Sequence, residues 1–206
     1  MNGVSRNAHW ENVYTTKGEN EVSWFQEDPE PSLALIDFAR LTTESAIVDI
    51  GGGASRLVDS LVARGFVNVT VLDLSESALG AAKARLGDRA KNVKWVVADV
   101  TTWEPPQTYH LWHDRAAFHF LTDDAARSAY VDRLKRALKP SGHVIIGTFA
   151  LSGPERCSGL PVIRYDAASL AATLGPEFEL IDTRPHQHVT PWGATQQFQF
   201  STFRRV

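Results

Sequence analysis

The chain has 206 residues, 43% of them hydrophobic, enough for one sizeable core and a little long for the commonest domain size. Its 21 basic and 24 acidic residues leave a formal charge of −3, so no global field draws it onto nucleic acid or anionic lipid, and neither is an expected partner. One cysteine, Cys157, excludes an internal disulfide.

The opening stretch MNGVSRNAHWENVY holds no apolar run of the kind a signal peptide needs. No later run approaches the roughly 20 apolar residues that span a bilayer. The expectation is a cytoplasmic protein with a single domain over 1–206. Residues 1–42 form a helical cover, with PSLALIDFARL its clearest helix, and residues 43–206 form an α/β core. Oligomeric state is not legible.

From residue 46 onward, short runs rich in β-branched residues alternate with helical periodicity, the pattern of parallel βαβ units. AIVDI reads as a first strand. SRLVDSLVARG follows as a helix with apolar residues at 57, 58, 61 and 62 and a terminating Gly65. NVTVLDL is a second strand, and SESALGAAKARLG a helix with Ser75 as N-cap, Glu76 in its first turn and Gly87 past its end. NVKWVVADV and YHLWHD are the third and fourth strands. The stretch between them carries Pro105 and Pro106 and is too short for a full crossover helix, so a loop is expected. TDDAARSAYVDRLKRALKPSG is a helix capped by Thr122, with Asp123 and Asp124 at its positive end and Lys135, Arg136 and Lys139 at the other. HVIIGTFA is a fifth strand and DAASLAATLG a short helix. FELIDTRP and ATQQFQFSTFRR read as a closing antiparallel pair.

Gly51, Gly52 and Gly53 stand where the first strand hands over to the first helix, where missing Cβ atoms permit positive φ and let a ligand approach the backbone. In an open α/β sheet that rim is the ligand-binding edge. Asp73 ends the second strand 22 residues after Gly51, the spacing at which an acid accepts hydrogen bonds from ribose hydroxyls. A dinucleotide fingerprint needs a third glycine where this chain has Arg56. Asp49 stands just before the glycines and Asp99 ends the third strand. Three carboxylates on one rim, with no lysine placed to pair a phosphate, suit a cationic nucleoside such as S-adenosylmethionine better than a pyrophosphate.

These motifs, DIGGG, VLDLS and VADV, resemble those of the class I S-adenosylmethionine-dependent methyltransferases over about residues 44–150. The resemblance implies a three-layer, Rossmann-like, seven-strand sheet, mostly parallel with an antiparallel last strand. It implies methyl transfer by in-line displacement to a small molecule or to a protein lysine. Carried over position by position, Asp49, Gly51, Gly52 and Gly53 would hold the methionine portion and Asp73 the ribose. Leu74 would pack on the adenine, with Asp99 and Val100 at its amino edge. Ser55 stands where the family often has a further glycine. The stretch HWENVYTTKGENEVSWFQEDPEPSLALI is similar to the opening segment of lysine methyltransferases acting on elongation factor and citrate synthase, and more loosely to thiopurine and halide/thiol methyltransferases. By that similarity Trp10, Tyr14, Trp24 and Phe25 close over the cofactor, Trp24 toward the acceptor; the alternative is core packing of an N-terminal helix.

The fourth strand ends in LWHDRAAFHFL, where the family faces the methyl group. His113 is a candidate general base with Asp114 orienting it; the alternative is a hydrogen-bonded structural histidine. Arg115 follows as a candidate acceptor contact, and His119 reads as core. In the loop SGPERCSGLPVIRYD, Arg164 and Tyr165 are candidates for an acceptor carboxylate or hydroxyl. His186, His188 and Cys157 are too few and too far apart for zinc, so no metal is expected. The other functions weighed are a non-catalytic S-adenosylmethionine-binding module and a dinucleotide-dependent oxidoreductase.

Overall fold

A computed structural model describes residues 6–206. Two helices, α1 (Arg6–Thr16) and α2 (Ser32–Phe38), precede the sheet. Then come β1 (Ile47–Ile50), α3 (Leu57–Ala63), β2 (Val69–Asp73), α4 (Glu76–Leu86), β3 (Val93–Val97), β4 (Tyr109–Arg115), α5 (Asp124–Ala137) and β5 (Leu138–Phe149). A two-residue ladder, β6 (Arg156–Cys157) with β7 (Leu160–Pro161), leads to α6 (Ala167–Leu174), β8 (Phe178–Val189) and β9 (Thr195–Arg205). The seven-stranded sheet runs β3-β2-β1-β4-β5-β9-β8. Its first five strands are parallel, and β9 is antiparallel to both β5 and β8.

Successive residues of a strand point to opposite faces, and here each face carries its own core. Val48 and Ile50 of β1, Trp112 of β4 and Val144 and Ile146 of β5 pack with Tyr130 and Leu134 of α5 and Leu170 of α6. Ile47, Leu111 and Ile145, their neighbours along the same strands, pack with Ile36 of α2, Leu57 and Leu61 of α3 and Leu79 of α4. The result is the expected helix–sheet–helix sandwich. Strand order reverses between β1 and β4, which opens a crevice above their carboxyl ends.

Several boundaries differ from the sequence expectation. Helix α5 ends at Ala137, and Leu138 already pairs with Tyr109 as the start of β5; Pro140 has no N–H to continue a helix, which accounts for the early stop. Asp123, not Thr122, caps α5 by accepting from the Ala126 amide at 2.8 Å. Asp99 lies two residues beyond β3, in a turn where its side chain accepts from the Thr101 amide and hydroxyl. Between β3 and β4 the chain is irregular, and Ser75 and Gly87 flank α4, both as read from the sequence.

Candidate active site

The three glycines are needed for three different reasons. Gly51 has φ +66°, and a Cβ there would meet that of Ala117 at 2.7 Å. Gly52 passes over Asp49, whose Oδ2 would lie 2.5 Å from an added Cβ. At Gly53, with φ +42°, a Cβ would lie 2.8 Å from Asp73 Oδ2 and 3.2 Å from the Tyr14 hydroxyl. The bend is fixed by the Gly51 and Gly52 amides, which both donate to the Leu72 carbonyl of β2, at 2.8 and 3.2 Å.

Two buried carboxylates flank this bend. Asp49 sits 2.7 Å from His113 Nδ1 through Oδ1, while its buried Oδ2 has no partner. Asp73 accepts from the Ser75 amide at 2.8 Å, yet burial dominates and raises its pKa to about 7, with the Asp49 charge adding to the rise. Neither carboxylate has a Lys or Arg partner among the described residues.

A cleft with about 830 Å³ of empty space, part of it open to solvent, lies beside them. One end is lined by Gly51, Leu72, Asp73, Leu74, Asp99 and Val100. Trp10, Tyr14 and Trp24 of the N-terminal segment cover it, Trp24 donating to the Tyr14 hydroxyl at 3.1 Å. Burial and the Asp73 charge hold the Tyr14 phenol well above its usual range. The other end is formed by Arg115, Phe120, Phe149, Cys157, Gln196 and Phe198. A smaller recess, lined by Asp49, Gly52, His113 and Phe25 among others, adjoins the cleft through Gly51, Trp24 and Arg115.

The sequence-predicted residues are thus divided. Asp73, Leu74, Asp99, Val100, Trp10, Tyr14, Trp24, Gly51 and Arg115 converge on the cleft, and Asp49 and Gly52 on the recess. Asp99 pairs with Arg6 of α1 at 2.8 Å, so its carboxylate also ties the cover to the rim.

Four expectations are corrected. Asp114 does not orient His113, because neighbouring residues of a strand face opposite sides of the sheet. The Asp114 carboxylate turns into the α5 core, accepting from the Tyr130 hydroxyl at 2.8 Å and from the Ala117 and Phe118 amides, with burial raising its pKa to about 6. His113 has both ring nitrogens engaged, by Asp49 and by Ser32 Oγ at 2.9 Å, which leaves it no free position for a proton from an acceptor. Arg164 binds the Gly153 carbonyl and Glu155 outside the cleft. Tyr165 is buried against Phe118, with ring centroids 5.5 Å apart. His119 is core as expected, edge-on to Phe120 and tilted against Phe149, with burial lowering its pKa to about 3. His188 donates from Nε2 to the Ser23 carbonyl at 2.6 Å, fastening the N-terminal segment to β8.

Sequence reasoning missed Phe149, Cys157, Gln196 and Phe198. The antiparallel sense of β9 supplies the signal: Phe198 pairs with Phe149, so the start of β9 lies beside the end of β5 on the ligand rim. The alternation of Gln196 and Phe198 along that strand then aims both the same way.

Residues 47–142 match the protein family described as "Methyltransferase domain". Over 80 residues the chain is 30% identical to Nodulation protein S of Rhizobium fredii, covering 39% of this chain and 45% of that protein. It is 26% identical to human EEF1A lysine methyltransferase 2 over 153 residues, 67% of this chain and 65% of that one. The chain spans less than half the length of the nodulation proteins it matches. The solved structure of Burkholderia thailandensis 1,6-didemethyltoxoflavin-N1-methyltransferase, with 1,6-didemethyltoxoflavin and S-adenosylhomocysteine bound, superposes with a TM-score of 0.73 at 20% identity, covering 100% of this chain and 93% of that one. The match over residues 47–142, just under half of the chain, together with the sheet order, supports a class I S-adenosylmethionine-dependent methyltransferase.

Proposed function

We propose that the protein binds S-adenosylmethionine at the glycine bend and transfers its methyl group to an acceptor held at the aromatic end of the cleft. The observation that carries this reading is the pair of buried carboxylates, Asp49 and Asp73, that among the described residues have no Lys or Arg partner, at a bend whose glycines leave no room for side chains. A carboxylate desolvated without a partner is costly, and a nucleoside bearing hydroxyls and positive charge relieves that cost. Asp73 would accept from the ribose, Leu74 and Val100 would face the adenine, and Asp49 Oδ2 would meet the amino-acid portion.

The bound cofactor supplies a methyl carbon on a sulfonium, an electrophile that asks the protein mainly for alignment and exclusion of water. Trp10, Tyr14 and Trp24 exclude water. The acceptor compartment is walled by Phe120, Phe149 and Phe198, which supports a small acceptor. We read residues 1–206 as one domain, with 1–42 as the cover and 43–206 as the core. Among the described residues no helix is long and apolar enough to cross a membrane. A cytoplasmic location is part of the proposal and accords with the single, buried free thiol.

Calorimetry tests the reading. S-adenosylhomocysteine is expected to bind with a Kd of about 1–100 μM and NAD not at all. Tight NAD binding with no response to S-adenosylhomocysteine would overturn it.

A further inference from the structure

Resting on that reading, we propose that the methyl acceptor is a small aromatic anion whose negative group pairs with Arg115, the Gln196 side-chain oxygen accepting from an N–H or O–H where the acceptor carries one, and that a lysine ammonium is excluded from this site. Arg115 emerges at the end of β4 into the cleft. Its guanidinium donates from Nη2 to the Trp24 carbonyl at 3.0 Å and lies 5.7 Å from the Phe198 ring centroid. Buried Nε has no hydrogen-bond partner, and among the described residues no carboxylate forms an ion pair with it. Burial lowers its pKa to about 10, only partly offset by the more distant Asp49. A cation held this way, dehydrated and without an anion in contact, is arranged for one that arrives with a ligand.

The second observation is independent of charge. Gln196 Oε1, on β9, is buried and lacks a donor, and Gln196 lines the same compartment. The amide asks for a donor as the guanidinium asks for an acceptor. The rings of Phe120, Phe149 and Phe198 line the same cleft, a lining that suits a flat apolar body. An incoming ammonium would face a like charge at Arg115, whereas the carboxylates that line the cleft, Asp73 and Asp99, stand at its nucleoside end.

The chemistry agrees with the absence of a free base at this end. His113 is committed to Asp49 and Ser32, and the Cys157 thiol is raised to about 11 by burial. An acceptor bound as the anion needs no base. Its nucleophilic atom gains the methyl carbon as the carbon–sulfur bond breaks with its electron pair passing to sulfur. Negative and positive charge are annihilated together and no proton moves.

The competing ligand for Arg115 is the carboxylate of the cofactor, and the test separates the two. Thiophenolate, aniline and benzylamine serve as matched anionic, neutral and cationic probes. Each is titrated into protein saturated with S-adenosylhomocysteine, following tryptophan fluorescence, and turnover with S-adenosylmethionine is measured in parallel. Thiophenolate is expected to bind at least about tenfold more tightly than either amine. Arg115→Met should weaken thiophenolate binding by about 100-fold while changing the S-adenosylhomocysteine Kd less than about threefold, with Arg115→Lys restoring part of the loss. Equal or tighter binding of an amine, or a Met variant that loses S-adenosylhomocysteine and keeps thiophenolate, overturns the proposal. If wild-type protein binds S-adenosylhomocysteine but none of the three probes, the anion site is wrong and the cofactor reading stands. If it binds no S-adenosylhomocysteine, the functional reading itself has failed.

Discussion

Burial raises the Asp73 carboxyl from 3.8 to about 7, so in the ligand-free protein the folded state holds its proton more tightly than the unfolded chain. Its contribution to stability is therefore full below the unfolded value and is lost as pH rises toward 7. Asp73→Asn should stabilise the ligand-free protein by about 2 kcal/mol above that pH, measured by urea denaturation. The same change should weaken S-adenosylhomocysteine binding by about tenfold or more, because ribose hydroxyls lose a charged acceptor. A variant that is both less stable and undiminished in binding would remove Asp73 from the proposed ribose site. His113 shows what single residues hide at the sequence level. It is register partner to Asp49 on the adjacent strand, and that neighbourhood exists only once β4 is known to lie beside β1.

At the scale of elements, the strand-to-helix bend depends on Gly51 far more than the end of α4 depends on Gly87. Both have positive φ, but an added Cβ at Gly51 strikes Ala117, whereas at Gly87 it meets open space. Gly51→Ala should cost about 3 kcal/mol and Gly87→Ala about 1, read from urea midpoints at unchanged slope; similar losses would show that the bend yields. Helix α1 is held differently. Glu11 accepts from the Ser75 hydroxyl at 2.8 Å and from the Ser77 hydroxyl and amide, docking α1 on the amino end of α4. The Ser77 and Ser75 bonds lower the Glu11 pKa, so this fastening holds above the usual carboxylate range and is lost as pH falls through the depressed value. Glu11→Ala should speed S-adenosylhomocysteine release by about fivefold or more in stopped-flow fluorescence. An unchanged release rate would mean that α1 does not gate the cleft.

Much of this was legible in the chain itself. Strands β1, β2, β3 and β5 announce themselves as β-branched runs and β4 by its aromatic residues, and Ser75 and Gly87 mark the ends of α4 by cap chemistry. Asp49, the glycines and Asp73 are legible because their spacing is local to one βαβ unit. At the acceptor end Arg115 is legible from its place after the fourth strand, but Phe149, Cys157 and Gln196 are not, since they come from three further segments that meet it only in the folded sheet. The replacement of Asp114 by Asp49 and Ser32 as the partners of His113 has the same origin.

Across the whole molecule, the strand order ties completion of the sheet to completion of the cleft. Strand β8 reaches the sheet only through β9, which occupies the place between it and β5. The β8–β9 hairpin therefore docks as a unit, and it brings Gln196 and Phe198 to the rim while His188 grips Ser23 of the cover. Without that hairpin the nucleoside half of the crevice keeps its floor but the acceptor half has no far wall. One hairpin thus serves two borders of the cleft, so whatever loosens β8 and β9 slackens the wall facing the acceptor and the grip on the cover together.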